Sequence, residues 1–364
     1  MIEPSVPKYM QLKREIQSWI YSGRIKSNEQ LPSEHELSRL FSMSRQTVRQ
    51  AIGEMVQEGQ LYRIQGKGTY CAGTAFRRTN DTPTIGVLTT YISDYIFPLI
   101  VRGAEATLRN DGYQLLLAST DNDKAKERES LEMMLAQSVS GLIIEPTKSA
   151  EGNPNESYYR ALEAQGIPYI MINETYADLD CPCLKVDDEL GVFRAVEYLI
   201  LGGHRQIAGF FKTDDLQGVN RMNGFIAAHV QYQLPLSEDN IVCYSTEEKS
   251  VKPLSMAASI LRRVDRPTAF VCYNDELAIR MLDIIREANL QVPDDLSIIG
   301  FDDSFLATAT EVKLTTIAHP KIELGIKAAQ LLIDIKEQRI ELNSVGIVKY
   351  DPELMIREST KKLL

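Results

Sequence analysis

From residue 84 onward, polar side chains recur directly after short apolar runs. Ser93 and Asp94 follow "TIGVLTT", Asp121 follows "YQLLLAST", Glu145 and Lys148 follow "GLII", and Asn173 and Glu174 follow "YIMI". Further along stand Asp187, Asn274 and Asp275 after "FVCY", and Asp302 and Asp303 after "SIIGF", with Arg221, His319 and the aromatic Phe97 at comparable strand or loop ends. Asp and Asn offer paired acceptors and donors, Arg a planar donor fork, and Phe an apolar face, a set that suits the hydroxyls and apolar face of a sugar. The same acids admit a second chemistry, because an Asp/Glu pair flanking a glycosidic bond can serve as acid and base. Singly, an Asp or Asn after a strand most often caps the next helix, and Asp275 at the start of "DELAIRML" could do only that. Their number favours a site, and the residues alone leave a glycosidase open.

A second group sits near the N-terminus. In "LPSEHELSRLF", Ser33 and Glu36 have capping-box spacing, with Glu34 between them. In "SMSRQTVRQAIGEMVQEG", Ser44 is placed to cap a helix whose buried face is Val48, Ile52, Met55 and Val56, which leaves Arg45, Gln46, Thr47 and Arg49 toward its free N-terminal side. Long donors there suit the major groove, Arg matching guanine and Gln matching adenine. "LYRIQGKGTYCAG" then reads as a hairpin with Gln65, Gly66, Lys67 and Gly68 at a basic tip. Arg45, Gln46 and Arg49 by themselves would be an ordinary solvated face; the capping box, the tight turn and the basic hairpin reverse that reading. "GKGT" lacks the spacing of a phosphate loop, and His35-Glu36 lacks the second His of a zinc-protease helix.

The elements that position these groups fall into two unlike parts. Tyr9, Leu12, Ile16, Trp19 and Ile20 repeat at helical spacing, so the head has three helices and a hairpin. "AGTAFRRTNDTP" has no hydrophobic periodicity and reads as a linker over 72–83. Beyond it, strand runs alternate with helical stretches, which predicts parallel α/β architecture in two lobes with ligands at the carboxyl ends of strands. Charge divides at the same place: the first 80 residues hold 12 Lys/Arg against 7 Asp/Glu, and the rest hold 28 against 43, within a total of −10. A basic head on an acidic body points to nucleic acid for the head alone. With 364 residues, 44% hydrophobic and 25% charged, the chain is long enough for more than one core. No apolar run suits a membrane span or secretory signal, so a cytoplasmic protein with no membrane partner is expected. Five cysteines in apolar surroundings suit reduced thiols, and the lone Cys181–Cys183 pair has no partners at zinc spacing.

The segment "LPSEHELSRLFSMSRQTVRQAIGEMVQEGQLYRIQGKGTYC" resembles the winged-helix domain of GntR-type transcription regulators across nearly the whole head. "RMNGF", "CYNDELA", "IGFDDS", "TTIAHP" and "ELMIREST" look like the LacI-type, periplasmic-binding-protein-like sensor. The resemblance implies an α/β chain: a winged helix-turn-helix over 1–71, the linker, and a two-lobed sensor with parallel sheets over 84–364. Its N-lobe would comprise about 84–187 and 320–342, its C-lobe about 188–319 and 343–364.

The implied DNA-facing set is Ser33, Glu34, Ser44, Arg45, Gln46, Thr47, Arg49, Gln65, Gly66, Lys67 and Gly68. In the cleft, the family pattern implies Phe97 as a stacking residue, Asn173, Arg221 as a hydroxyl clamp, Asn274 or Asp275 and Asp302 as hydroxyl partners, and His319 near a hinge; Asp94, Glu145 and Lys148 join the expected pocket. Asn173-Glu174 stand where ribose-type receptors commonly carry an Asp-Arg pair, which argues against ribose. The joint resemblance implies a homodimeric repressor of sugar-utilisation genes that binds operator DNA, with L-arabinose as effector and with no cofactor, metal or catalysis; a regulator responding to another pentose or hexose is the alternative. A sugar-transport receptor would share the body but not the head.

Overall fold

The computed structural model describes residues 7–72, 83–93 and 95–363. The head comprises α1 (Lys8–Tyr21), α2 (Glu34–Leu40), α3 (Arg45–Gln57) and an antiparallel hairpin of β1 (Leu61–Ile64) and β2 (Gly68–Cys71). Leu12, Ile16, Trp19, Leu37, Val48, Ile52, Met55 and Leu61 form its core, so helical periodicity chose the buried face correctly. Ser33 and Glu36 form the capping box, and Ser44 accepts from the Thr47 amide to start α3. Most of the expected linker, 73–82, and residues 1–6 lie outside the described residues.

The body begins with β3 (Thr84–Thr89), α4 (Phe97–Asn110), β4 (Gln114–Ser119), α5 (Lys124–Ala136), β5 (Gly141–Ile144), α6 (Glu156–Ala164), β6 (Tyr169–Ile172) and β7 (Cys183–Val186). It then crosses to a second lobe through α7 (Asp188–Leu201), β8 (Ile207–Lys212), α8 (Leu216–Gln231), β9 (Ile241–Tyr244), α9 (Lys252–Leu261), β10 (Ala269–Cys272), α10 (Asp275–Glu287), β11 (Ser297–Asp302), α11 (Leu306–Ala309) and β12 (Thr315–Ala318). The chain returns as α12 (Lys321–Lys336) against α4, adds β13 (Ile347–Tyr350), and ends beyond β14 (Leu354–Met355) in the second lobe. The N-lobe sheet has the order β13-β7-β6-β5-β3-β4 and the C-lobe sheet β14-β12-β11-β10-β8-β9, parallel throughout except for β14. Strands covered on both faces read as unbroken apolar runs, as "GLII" and "YIMI" do.

One boundary is corrected. Residues 343–364 do not belong wholly to the C-lobe, because Ile347–Tyr350 pairs in register with Cys183–Val186 at the edge of the N-lobe sheet. The chain therefore makes its third crossing after β13. The Ser18 hydroxyl of the head lies 2.7 Å from that of Tyr158 on α6, and Tyr21 packs on the N-lobe core.

The contact of α4 with α12 depends on small residues: a Cβ at Gly325 would stand 2.0 Å from the Ile100 carbonyl oxygen and 3.0 Å from the Ala104 amide nitrogen. Both obstacles are backbone, so Gly325→Ala must push the helices apart. A loss of about 1–3 kcal/mol in urea-unfolding stability is expected, as for overpacked cores; an unchanged midpoint would show that this crossing is not tight.

Candidate functional site

On the head, Arg45, Gln46 and Arg49 are exposed on the N-terminal half of α3. Glu34, at the start of α2, organises that face: its carboxylate accepts from Arg49 Nε and Nη2, both at 3.2 Å, and from Arg63 Nη2 at 3.4 Å. Arg45 Nη2 lies 2.9 Å from His35 Nδ1. Ser33, Ser44 and Thr47 are engaged in helix capping. At the wing tip, Gln65, Gly66, Lys67 and Gly68 are exposed, Gly66 and Gly68 have positive φ, and Gln30 Nε2 holds the Lys67 carbonyl at 2.7 Å. The pairs Glu34–Arg49 and Glu34–Arg63 thus tie α2, α3 and the wing into one basic-edged surface, the geometry of a helix offered to a major groove with a wing beside it.

The second site lies where strand ends of the two lobes meet. Arg221, from α8, is only 2% exposed. Its Nε donates to Asp188 Oδ1 at 2.7 Å, Nη1 to the Tyr273 carbonyl at 2.6 Å and Nη2 to Asp302 Oδ1 at 3.4 Å, while the Phe301 ring lies 3.6 Å from its central carbon. Burial alone would lower its pKa, but the carboxylates of Asp188 and Asp302 outweigh that and hold the guanidinium charged. A guanidinium has more N–H groups than these three bonds use, so donors remain for hydroxyl oxygens.

Asp275 accepts from Thr316 Oγ1 at 2.6 Å and from the Ser304 amide at 2.7 Å; burial raises its carboxyl to about 7, against the lowering pull of the Thr316 bond. Only a glycine at 300 leaves it room, since a Cβ there would lie 2.1 Å from Asp275 Oδ1.

From the N-lobe, Glu145 accepts from the Thr90 amide at 2.9 Å, from its hydroxyl at 2.5 Å, and from Asn173 Nδ2 at 2.7 Å; burial raises its pKa. Asn173 Oδ1 lies 3.0 Å from His319 Nε2. Because the Asn173 amide must donate to Glu145, its oxygen accepts from His319 Nε2–H, and Nδ1 is left as an acceptor; that atom is buried with no hydrogen-bond partner. Burial lowers the His319 pKa to about 4. Tyr95 bridges the lobes, donating to the Phe301 carbonyl at 2.8 Å and accepting from the Asp275 amide at 3.0 Å. Lys321 Nζ donates to the carbonyls of Asp302 and Asp303.

The structure therefore brings together Glu145, Asn173, Arg221, Asp275, Asp302 and His319. Asn274 spends its side chain capping α10 through the Leu277 amide at 2.9 Å. Phe97 belongs to the N-lobe core, tilted against Tyr91 at 6.0 Å. Lys148 pairs with Glu247 across the lobes, and Asp94 lies outside the described residues. Asp188, Thr90, Tyr95 and the Lys212–Asp215–Tyr273 cluster were missed by sequence reasoning. Asp188 had a visible signal, an acid beside Asp187 after a strand; Asp187 is the cap, accepting from Leu190, and Asp188 turns inward. Two open surface depressions, beside Trp19 and Leu31 on the head and beside Tyr169 and Leu342 on the N-lobe, include none of these cleft groups. Among the described residues no cluster of three or more His, Cys, Asp or Glu could hold a metal, and no helix is long and apolar enough to cross a membrane. Cys181 and Cys183 are buried free thiols whose pKa values burial raises.

Comparison with known proteins gives the same two parts. Residues 8–71 match bacterial regulatory proteins of the gntR family, and residues 196–360 match the periplasmic binding protein-like domain. The chain is 58% identical to the arabinose metabolism transcriptional repressor of Geobacillus stearothermophilus over 100% of both chains. It is 46% identical to that of Halalkalibacterium halodurans over 97% of this chain and 96% of the relative. The crystal structure of the transcription regulator CcpA of Lactococcus lactis superposes with a TM-score of 0.67 and 26% identity, over 77% of this chain and 100% of that one.

The buried neutral His319 has a stability consequence. Its folded pKa lies below the ordinary 6.5, so above pH 6.5 neither folded nor unfolded chain is protonated there; as pH falls from 6.5 toward about 4, only the unfolded chain takes up the proton. This residue therefore removes stability across that window. Urea unfolding at pH 7 and pH 5 should show a smaller loss for His319→Gln than for the parent, and equal losses would show that His319 is protonated when folded.

Proposed function

The chain belongs to the family of arabinose metabolism transcriptional repressors, and on that basis we propose that it holds operator DNA with its winged-helix head and releases it when L-arabinose binds between the sensor lobes. The observation that carries the effector reading is the composition of the cleft. Arg221 supplies charged donors, Asp275, Asp302 and Glu145 supply acceptors, and His319 presents a buried acceptor nitrogen without a partner, a set matched to a neutral polyol. The relatives of this chain are named transcriptional repressors, in keeping with a regulator rather than an enzyme. For release to follow binding, the sugar must favour one lobe arrangement, and that arrangement must place the heads differently on DNA. A two-fold homodimer suits this role, because symmetric heads meet half-sites spaced by about one helical turn. No cofactor enters this reading.

Calorimetry against L-arabinose, D-xylose, D-ribose and D-galactose tests the effector. L-arabinose is expected to bind most tightly and to displace the protein from an operator fragment; heat from none of the four would remove the effector assignment and leave DNA binding standing. Arg49→Ala should weaken operator binding by about 1–3 kcal/mol if Arg49 pairs with a guanine, with sugar affinity unchanged. Equal loss in both activities would show that Arg49 supports the fold instead.

A further inference from the structure

The lobes are joined by a second set of contacts, made by side chains other than Glu145, Asn173, Arg221, Asp275, Asp302 and His319. The C-lobe loop after β9, "STEEKS" at 245–250, reaches the N-lobe through three side chains. Thr246 Oγ1 accepts from Asn122 Nδ2 at 2.6 Å, Glu247 Oε1 lies 2.6 Å from Lys148 Nζ, and Lys249 Nζ stands 4.9 Å from the centre of the Tyr91 ring. The loop is tied down on its own lobe: Arg280 donates to the carbonyls of Lys249 and Ser250 at 3.2 and 2.8 Å, and the Thr246 amide donates to Asp214 Oδ2 at 2.8 Å. Its receivers are equally fixed. Asn122 and Lys148 both hold positive φ, Asn122 Oδ1 accepts from the Lys148 amide at 3.0 Å, and the Thr147 amide beside them donates to Tyr176 OH at 2.8 Å.

We propose that this loop is a latch, and that Thr246 and Glu247 are positioning residues that set how long the effector stays in the closed cleft without touching it. The inference rests on reading the cleft as the effector site. These contacts join opposite lobes, so they exist only when the lobes are together. They add to the closed state alone and shift the open–closed balance by their own free energy. Sugar enters the open form and leaves after reopening, so the latch acts on dissociation. The Lys148–Glu247 pair is wet on one side, with Glu247 64% exposed and Lys148 16%, which makes its contribution modest and dependent on salt.

The test uses the full-length protein and dissociation of radiolabelled L-arabinose. Glu247→Gln and Thr246→Val should each speed dissociation roughly two- to five-fold with association unchanged, the range of an exposed pair or single hydrogen bond. Added KCl should speed dissociation from the parent more than from Glu247→Gln, and the double exchange Lys148→Glu with Glu247→Lys should recover the slow rate. Unchanged dissociation, an equal loss in association, or failure of the charge exchange to recover the rate overturns the latch. If the parent binds none of the four sugars, the effector reading fails and the latch is judged on sugar-free protein by hydrogen exchange over 245–250 and 120–123. Glu247→Gln then speeds exchange in both segments if the latch holds and leaves it unchanged if it does not.

Discussion

One buried charge sets the terms for the sensor. A guanidinium taken out of water costs several kcal/mol unless opposite charge and hydrogen bonds replace the solvent, and Arg221 is almost wholly enclosed. Asp188, Asp302 and the Tyr273 carbonyl supply that replacement, with Phe301 against one face. Asp188 starts α7, Tyr273 follows β10, and Phe301 and Asp302 end β11, so these elements and α8 must all be in place before the charge is tolerable. The same requirement joins site to hinge. Asp188 is the first residue of α7, just after the chain leaves β7, and His319 follows β12 just before the chain returns. His319, one of the groups that would hold a ligand, and Asp188, which holds Arg221, therefore stand at two of the crossings between the lobes.

The head answers to a different electrostatic rule. Its cations are solvated at the surface and cost little to hold there, and Glu34 aligns two of them without burying either. Ser18 and Tyr21, both on α1, are points of contact of the head with the N-lobe. The α3 and wing residues offered to DNA are exposed and lie apart from Ser18 and Tyr21 along the chain, which separates DNA chemistry from sugar chemistry within a single chain.

How much of this could be read from sequence depended on distance along the chain. The winged helix was legible almost residue by residue, because caps, turns and helical spacing act over three or four positions, and Ser33, Ser44 and the α3 face fell where spacing put them. The alternation of strands and helices gave the two lobes for the same reason. β13 was placed in the wrong lobe because "IVKY" is a half-exposed edge strand whose partner, Cys183–Val186, lies some 160 residues earlier, and nothing local records that pairing. In the site, the position after a strand identified Glu145, Asn173, Asp275 and Asp302. It could not say which of two neighbours turns inward. The capping role offered for Asp275 belongs to Asn274, and Asp187 caps while Asp188 meets the arginine. Lys148 lies at the right loop but spends its charge on the opposite lobe, a partner that only the fold supplies.

The charge inventory of the cleft also bears on what it can hold. Arg221 is matched by Asp188 and Asp302, and Lys212 by Asp214 and Asp215, so neither cation has charge to spare for an anion. Glu145 and Asp275 are buried with hydroxyl and amide partners and no cation in contact, which is why burial raises both. A phosphate or carboxylate brought here would add negative charge where the excess is already negative, at a cost that low dielectric magnifies. A neutral molecule rich in hydroxyls meets no such penalty. Its O–H groups can donate to the carboxylates and to His319 Nδ1, and its oxygens can accept from the remaining Arg221 donors. Discrimination among neutral sugars then falls to geometry. A buried acceptor such as Nδ1 rejects a sugar with no hydroxyl at that point, because the nitrogen would be left unpaired and out of water.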